Sequence, residues 1–180
     1  MKQLLISLSF LAVGFTTGRA QTTPSADQVL QAAYAKAARE HKKVFLIFHA
    51  SWCGWCRKMD SSMNDASCKK FFDDNFVITH LVVMESKGKE NLENPGARNL
   101  LKRYKAESSG IPFWMVFDAE GNMLADAKMP PKNSNVGCPA KEEEVEYFID
   151  VLKKVTNPTE GELNAIRTRF RKNENKIPVP

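Results

Sequence analysis

An unbroken apolar run, Val44-Phe45-Leu46-Ile47-Phe48, leads straight into Ser51-Trp52-Cys53-Gly54-Trp55-Cys56, and this junction constrains the fold of the chain more than any other feature. A run of that length without a polar break suits a central strand covered on both faces. Arg57 to Met63, after the second cysteine, read as a helix. Two cysteines separated by two residues, set where a strand hands over to a helix, can close a small disulfide ring. The helix N-terminus at that point presents unpaired N–H groups and a partial positive charge. A thiolate on Cys53 is the anion such a place favours, and the thiolate is the nucleophile of disulfide exchange. The spacing therefore predicts that Cys53 attacks a disulfide and that Cys56 resolves the mixed disulfide from within the motif. Gly54 lets the chain turn tightly, while Trp52 and Trp55 shield the pair and offer a flat apolar surface.

Other uses of the pair fit less well. A structural zinc site takes four ligands, and beyond the pair only Cys68 and Cys138, with the scattered His41, His49 and His80, remain. Covalent haem attachment requires His directly after the second cysteine, where Arg57 stands. A purely structural disulfide is the plain alternative, but a loop this short removes little entropy from the unfolded chain. Neither a metal nor a cofactor is expected.

The rest of the chain supplies the other elements of an α/β domain. Ser25 followed by Gln28 resembles a capping box, and Val29, Leu30, Ala33, Tyr34 and Ala37 recur at helical spacing, predicting a helix over 26–40. A shorter helical piece carries Phe71 and Phe72, and Phe76 to Met84 reads as a second buried strand. The polar stretch from Glu85 to Glu93 reads as a loop. Asn94-Pro95 is expected to open a helix bearing Leu100, Leu101 and Tyr104, with Asn94 as its cap. Phe113 to Phe117 and Met123 to Ala127, joined across Glu120-Gly121-Asn122, are expected to be antiparallel neighbours. Met129 to Pro139 reads as an irregular connection. An amphipathic helix over 141–155 and a last one announced by Thr159 and Glu162 complete the order. The first strands fit a parallel pair with crossover helices and the last two a hairpin, so the sheet is mixed.

Residues 1–20 are set apart by a different pattern. Lys2, an apolar run from Leu4 to Phe15 and the small residues of Gly18-Arg19-Ala20 have the layout of a secretory signal peptide, with cleavage expected after Ala20. The run is too short for a spanning helix, which takes about 20 apolar residues. A mature chain over 21–180 is long enough for one domain with a sizeable core. It is expected to be periplasmic or secreted, with no membrane insertion after cleavage. Removing Lys2 and Arg19 takes the formal charge from +5 to +3. These charges are interleaved, which gives no footprint for nucleic acid and no polybasic membrane patch.

The segment Phe48 to Met59 resembles the active-site segment of the thioredoxin superfamily, and Gly110-Ile111-Pro112, just before an apolar strand, resembles its second hallmark. Within the superfamily the chain looks like the exported bacterial thioredoxin-like proteins that carry Trp inside a Cys-Gly-Trp-Cys motif. The resemblance implies a thioredoxin-like fold, a mixed central sheet flanked by helices, with a core over about 43–154. A helical extension over 159–172 is additional. It further implies that Pro112 is cis and packs against the Cys53–Cys56 disulfide, with the backbone of Ile111 docking a substrate chain. Trp52, Trp55, Ile111 and Pro112 then form the substrate-binding surface.

One departure matters for the chemistry. Thioredoxins carry a buried aspartate six residues before the first cysteine, which assists proton transfer to the second; here Ile47 stands there. His49, upstream of the pair, and Asp60, four residues beyond Cys56 on one helix face, are the candidate pKa modulators. Cys68 falls towards the far end of such a molecule and Cys138 nearer the active-site edge. A 68–138 disulfide is therefore not expected, and both are read as free, largely buried thiols.

Together these readings predict a thiol–disulfide oxidoreductase, favoured in the reducing direction, acting on disulfide-bearing proteins or small molecules. A reductase outside the cytoplasm also needs an electron donor, expected to be membrane-associated. The alternative is a client-binding module of the same fold with a structural 53–56 disulfide.

Overall fold

The structure, a computed structural model, describes residues 23–174. The expected signal peptide and its cleavage site at Ala20 lie outside the described residues. Helix α1 spans Ala26–Glu40 and starts at a capping box: the Gln28 N–H donates to Ser25 Oγ while the Ser25 N–H donates to Gln28 Oε1. His41 ends it in the left-handed conformation (φ 54°) and turns the chain into strand β1, Lys43–His49. Helices α2 (Gly54–Met63) and α3 (Lys69–Asn75) follow, then strand β2 (Phe76–Val82). After a loop with a short 3-10 turn come α4 (Ala97–Arg103), the hairpin β3 (Phe113–Phe117) and β4 (Met123–Asp126), and helices α5 (Glu142–Val155) and α6 (Glu160–Arg171).

The four main strands form one sheet in the order β2-β1-β3-β4, with β2 parallel to β1 and the other neighbours antiparallel. Strand β1 is central, which is why Val44 to Phe48 are all buried: sheet neighbours flank it on both edges and helices cover both faces. The fold is thus the mixed α/β sheet that the strand pattern predicts. Its C-terminal extension is part of the core. Phe170 of α6 packs against Phe148 of α5 at 5.1 Å between ring centroids, and Phe148 in turn meets Trp114 at 5.5 Å. Contacts of this kind contribute about 0.5–1.5 kcal/mol each beyond simple burial. Thr159 and Glu162 form the capping box that starts α6.

Three local features differ from expectation. Strand β2 stops at Val82 rather than Met84, and Asn94 does not cap α4. Instead, the Asn94 N–H donates to the Val82 carbonyl and Asn94 Oδ1 accepts the Val82 N–H at 2.7 Å, closing off the strand end. Gly96, in a left-handed conformation (φ 87°), takes the cap position. Finally, the expected irregular connection after residue 128 contains a two-stranded ribbon, β5 (Lys128–Met129) with β6 (Ser134–Asn135). Among the described residues no helix is long and apolar enough to cross a membrane.

Candidate active site

Cys53 occupies the N-cap of α2, and the Cys56 N–H points at its sulfur at 3.1 Å. The two cysteines are joined in a disulfide with their Cα atoms 5.3 Å apart, as the spacing predicts. Both are 2% exposed and cluster with Ala50 and Ile111. Trp52 and Trp55 lie outside this cluster, 53% and 36% exposed, on the solvent side of the pair. Lys58 sits 4.1 Å from the centre of the Trp55 ring, and Arg57 Nη1 donates to the Ser51 carbonyl at 3.0 Å.

The Ile111–Pro112 bond is cis and Pro112 is buried, so the second motif has the conformation that the resemblance implies. Trp55, Ile111, Pro112, Val136, Gly137 and Cys138 line a cleft of about 270 Å³ beside the disulfide. Its far wall comes from the segment after the small ribbon, whose sequence reads only as an irregular connection. Asn135 holds that wall: its Nδ2 donates to the carbonyls of Ser109 (2.9 Å) and Pro112 (3.0 Å), and its Oδ1 accepts the Gly137 N–H. Gly137 is required here, because its φ is 60° and a Cβ would sit 3.4 Å from the Pro112 carbonyl. Trp114 Nε1 fixes the same turn by donating to the Gly137 carbonyl.

On the other side of the disulfide, the loop after β2 grips the active-site segment. Trp52 Nε1 donates to the Met84 carbonyl at 2.8 Å. The Glu85 carboxylate accepts the Ser51 N–H at 2.6 Å and the Ser51 hydroxyl at 2.7 Å. Hydrogen bonds from the Ser51 backbone and then its hydroxyl hold Glu85 below the usual carboxylate range, so it is ionised at neutral pH. Glu85 and Asn135 are contributors that sequence reading missed. The only signal for either was a polar residue in a loop, which is the commonest kind of residue there.

The two modulators suggested by the sequence are placed differently. His49 stacks edge-on with His80, 5.0 Å between centroids. Burial, reinforced by the facing His80, holds the His49 imidazole below its ordinary value. It is therefore neutral at neutral pH. Asp60, one turn beyond Cys56, lies 2.9 Å from His80 Nε2. His80 in turn sits directly beside Ile47 in the sheet. Asp60 and His80 border a second cleft, of about 640 Å³, that opens to solvent.

Cys68 and Cys138 are free and buried. Burial pushes the Cys138 thiol up to about 12, and Asn173 Nδ2 points at its sulfur at 3.4 Å. Although Cys138 borders the cleft, it is a poor nucleophile in this setting. Among the described residues no three His, Cys, Asp or Glu side chains are grouped as metal ligands would be.

Residues 25–119 match a protein family described as thioredoxin-like. The chain is 32% identical over 118 residues to the disulfide bond reductase DsbH of Chlamydia pneumoniae, covering 62% of this chain and 70% of that one. It is also similar to two solved structures. The disulphide isomerase of Xylella fastidiosa Temecula1 has a TM-score of 0.47 at 21% identity, covering 80% of this chain and 87% of that one. The C-terminal domain of Neisseria meningitidis DsbD, in its oxidised form, has a TM-score of 0.45 at 21% identity, covering 74% and 99%.

Proposed function

Because this chain belongs to the thioredoxin-like family, we propose that it is a thiol–disulfide oxidoreductase that works as a disulfide reductase outside the cytoplasm. The observation that carries the proposal is the Cys53–Cys56 disulfide at the N-terminus of α2, beside the cleft between Trp55 and cis Pro112. The name of the Chlamydia pneumoniae relative, a disulfide bond reductase, supports the reducing direction.

In the reducing cycle the Cys53 thiolate attacks one sulfur of a substrate disulfide. A mixed disulfide forms and the other substrate sulfur leaves as a thiolate that takes a proton from water. Cys56 then loses its proton and attacks Cys53 Sγ, closing the 53–56 bond and releasing the second substrate thiol. Two electrons pass to the substrate, and the protein is left oxidised. The positive end of α2 stabilises the Cys53 thiolate. The proton from Cys56 goes to the Asp60–His80 pair, one helical turn away and open to water through the larger cleft. Trp52, Trp55, Ile111 and Pro112 form the substrate-docking surface. The signal-like residues 1–20 direct export, and a membrane-associated donor returns electrons to the oxidised pair.

The proposal is tested by incubating two single-cysteine variants with a disulfide-bearing protein substrate. Cys56→Ser should accumulate mixed disulfides that are released by dithiothreitol, whereas Cys53→Ser should form none. Substrate reduction by Cys53→Ser at the rate of the unmodified protein would rule the mechanism out.

A further inference from the structure

Glu85 is one of few buried polar residues among those described, at 9% exposure, and its carboxylate is aimed at the active-site loop. It takes both donors of Ser51, two residues before Cys53. The neighbouring Met84 receives the indole N–H of Trp52, so consecutive residues of each loop hold one another. This reversal of the chain depends on Met84 standing at φ 56°, in the left-handed region that side chains other than glycine rarely adopt. The Glu85 N–H is itself anchored on Glu93 Oε1, and Glu93 is gripped through two 2.7 Å bonds by Arg98. A carboxylate fixed this firmly stays against Ser51, two residues before Cys53.

We propose that Glu85 is a positioning residue whose fixed negative charge, held through Ser51 against the loop that carries Cys53, opposes the Cys53 thiolate and keeps the pair reducing. The inference rests on the redox reading of the pair given above. The positive end of α2 favours the thiolate, and a stabilised thiolate makes a disulfide more oxidising. A buried anion close by acts in the opposite sense, raising the thiol pKa and favouring the disulfide. The other charged and titratable groups around Glu85 do not cancel it. Glu93 is neutralised by Arg98 and His49 is neutral, while the facing cations, Lys89 on the same loop and Arg57 on the Ser51 carbonyl, are both exposed, so solvent screens them. No electron or proton moves through Glu85; it sets the balance at the cysteines and the aim of their loop.

The test uses the full exported chain and three variants, comparing the pH dependence of Cys53 alkylation with the equilibrium against glutathione. Glu85→Gln keeps an acceptor for the Ser51 N–H but removes the charge. It should raise the Cys53 alkylation rate at neutral pH about threefold or more and shift the glutathione equilibrium towards the dithiol. Glu85→Asp, which keeps the charge, should stay close to the unmodified protein. Ser51→Ala releases one carboxylate oxygen to solvent and should move both readouts the same way as Glu85→Gln but less, which covers the case in which Glu85→Gln fails to fold. Unchanged or oppositely shifted values in the folded variants would overturn the inference while leaving the redox reading intact. A pair in the unmodified protein that never exchanges with glutathione would overturn both.

Discussion

Asn135 donates through its side-chain amide to the carbonyl of Pro112 at 3.0 Å, tying the small ribbon after β4 to the cis-proline turn that faces the disulfide. The same amide reaches the Ser109 carbonyl, so one side chain spans the cleft wall. Replacing it by Ala leaves two carbonyls without this donor and one N–H without its acceptor. Asn135→Ala is expected to lower stability by about 1–3 kcal/mol in chemical denaturation. It should also weaken kcat/KM for a protein disulfide more than for a small one, because the wall positions the chain rather than the reacting sulfurs.

The proton of Cys56 supplies a second prediction. With Ile47 where an acid would be expected, the Asp60–His80 pair is the acceptor assigned here. Asp60→Asn should slow resolution of the mixed disulfide about a hundredfold, the lower end of the range for a lost general base. The first attack by Cys53 should be nearly unaffected. Stopped mixing of the reduced protein with a disulfide whose two thiols leave in separate steps would distinguish the two; equal slowing of both steps would argue against the assignment.

Much of this architecture is legible in the sequence because it is written locally. The helix over 26–40 follows from Ser25, Gln28 and a regular apolar stripe, and the last helix from Thr159 and Glu162. The cysteine pair and Pro112 stand in short motifs, and β1 announces itself by having no polar residue from Val44 to Phe48. What escaped depends on partners distant in the chain. Glu85 matters through Ser51, 34 residues earlier, and Asp60 through His80, 20 residues later. Asn94, standing before a Pro, has the local form of a cap, but the end of β2 takes its side chain first. The charge of His49 is likewise set by burial beside His80, a neighbour distant in the chain.

His49 also gives a pH prediction. Its imidazole is neutral in the folded protein and titrates below its unfolded value of about 6.5. Between those two values the unfolded chain binds the extra proton, so stability falls as the pH drops through about 6.5 towards the folded value. Above that window the contribution is fully present. His49→Gln should flatten this part of the stability curve in denaturant titrations at graded pH. A slope that is unchanged in the variant would place the acid sensitivity elsewhere.

Whether Cys53 and Cys56 cycle as a reductant is decided by the equilibrium reduction potential of the pair. Titration against glutathione or dithiothreitol, with alkylation and mass spectrometry to count open pairs, gives the value. A reducing pair should show a potential near or below about −250 mV, in the range of thioredoxin-like reductants. A potential of about −120 to −180 mV would contradict the reducing direction and point to an oxidant or isomerase. A pair that never opens would contradict the enzyme itself and leave a client-binding module with a structural disulfide.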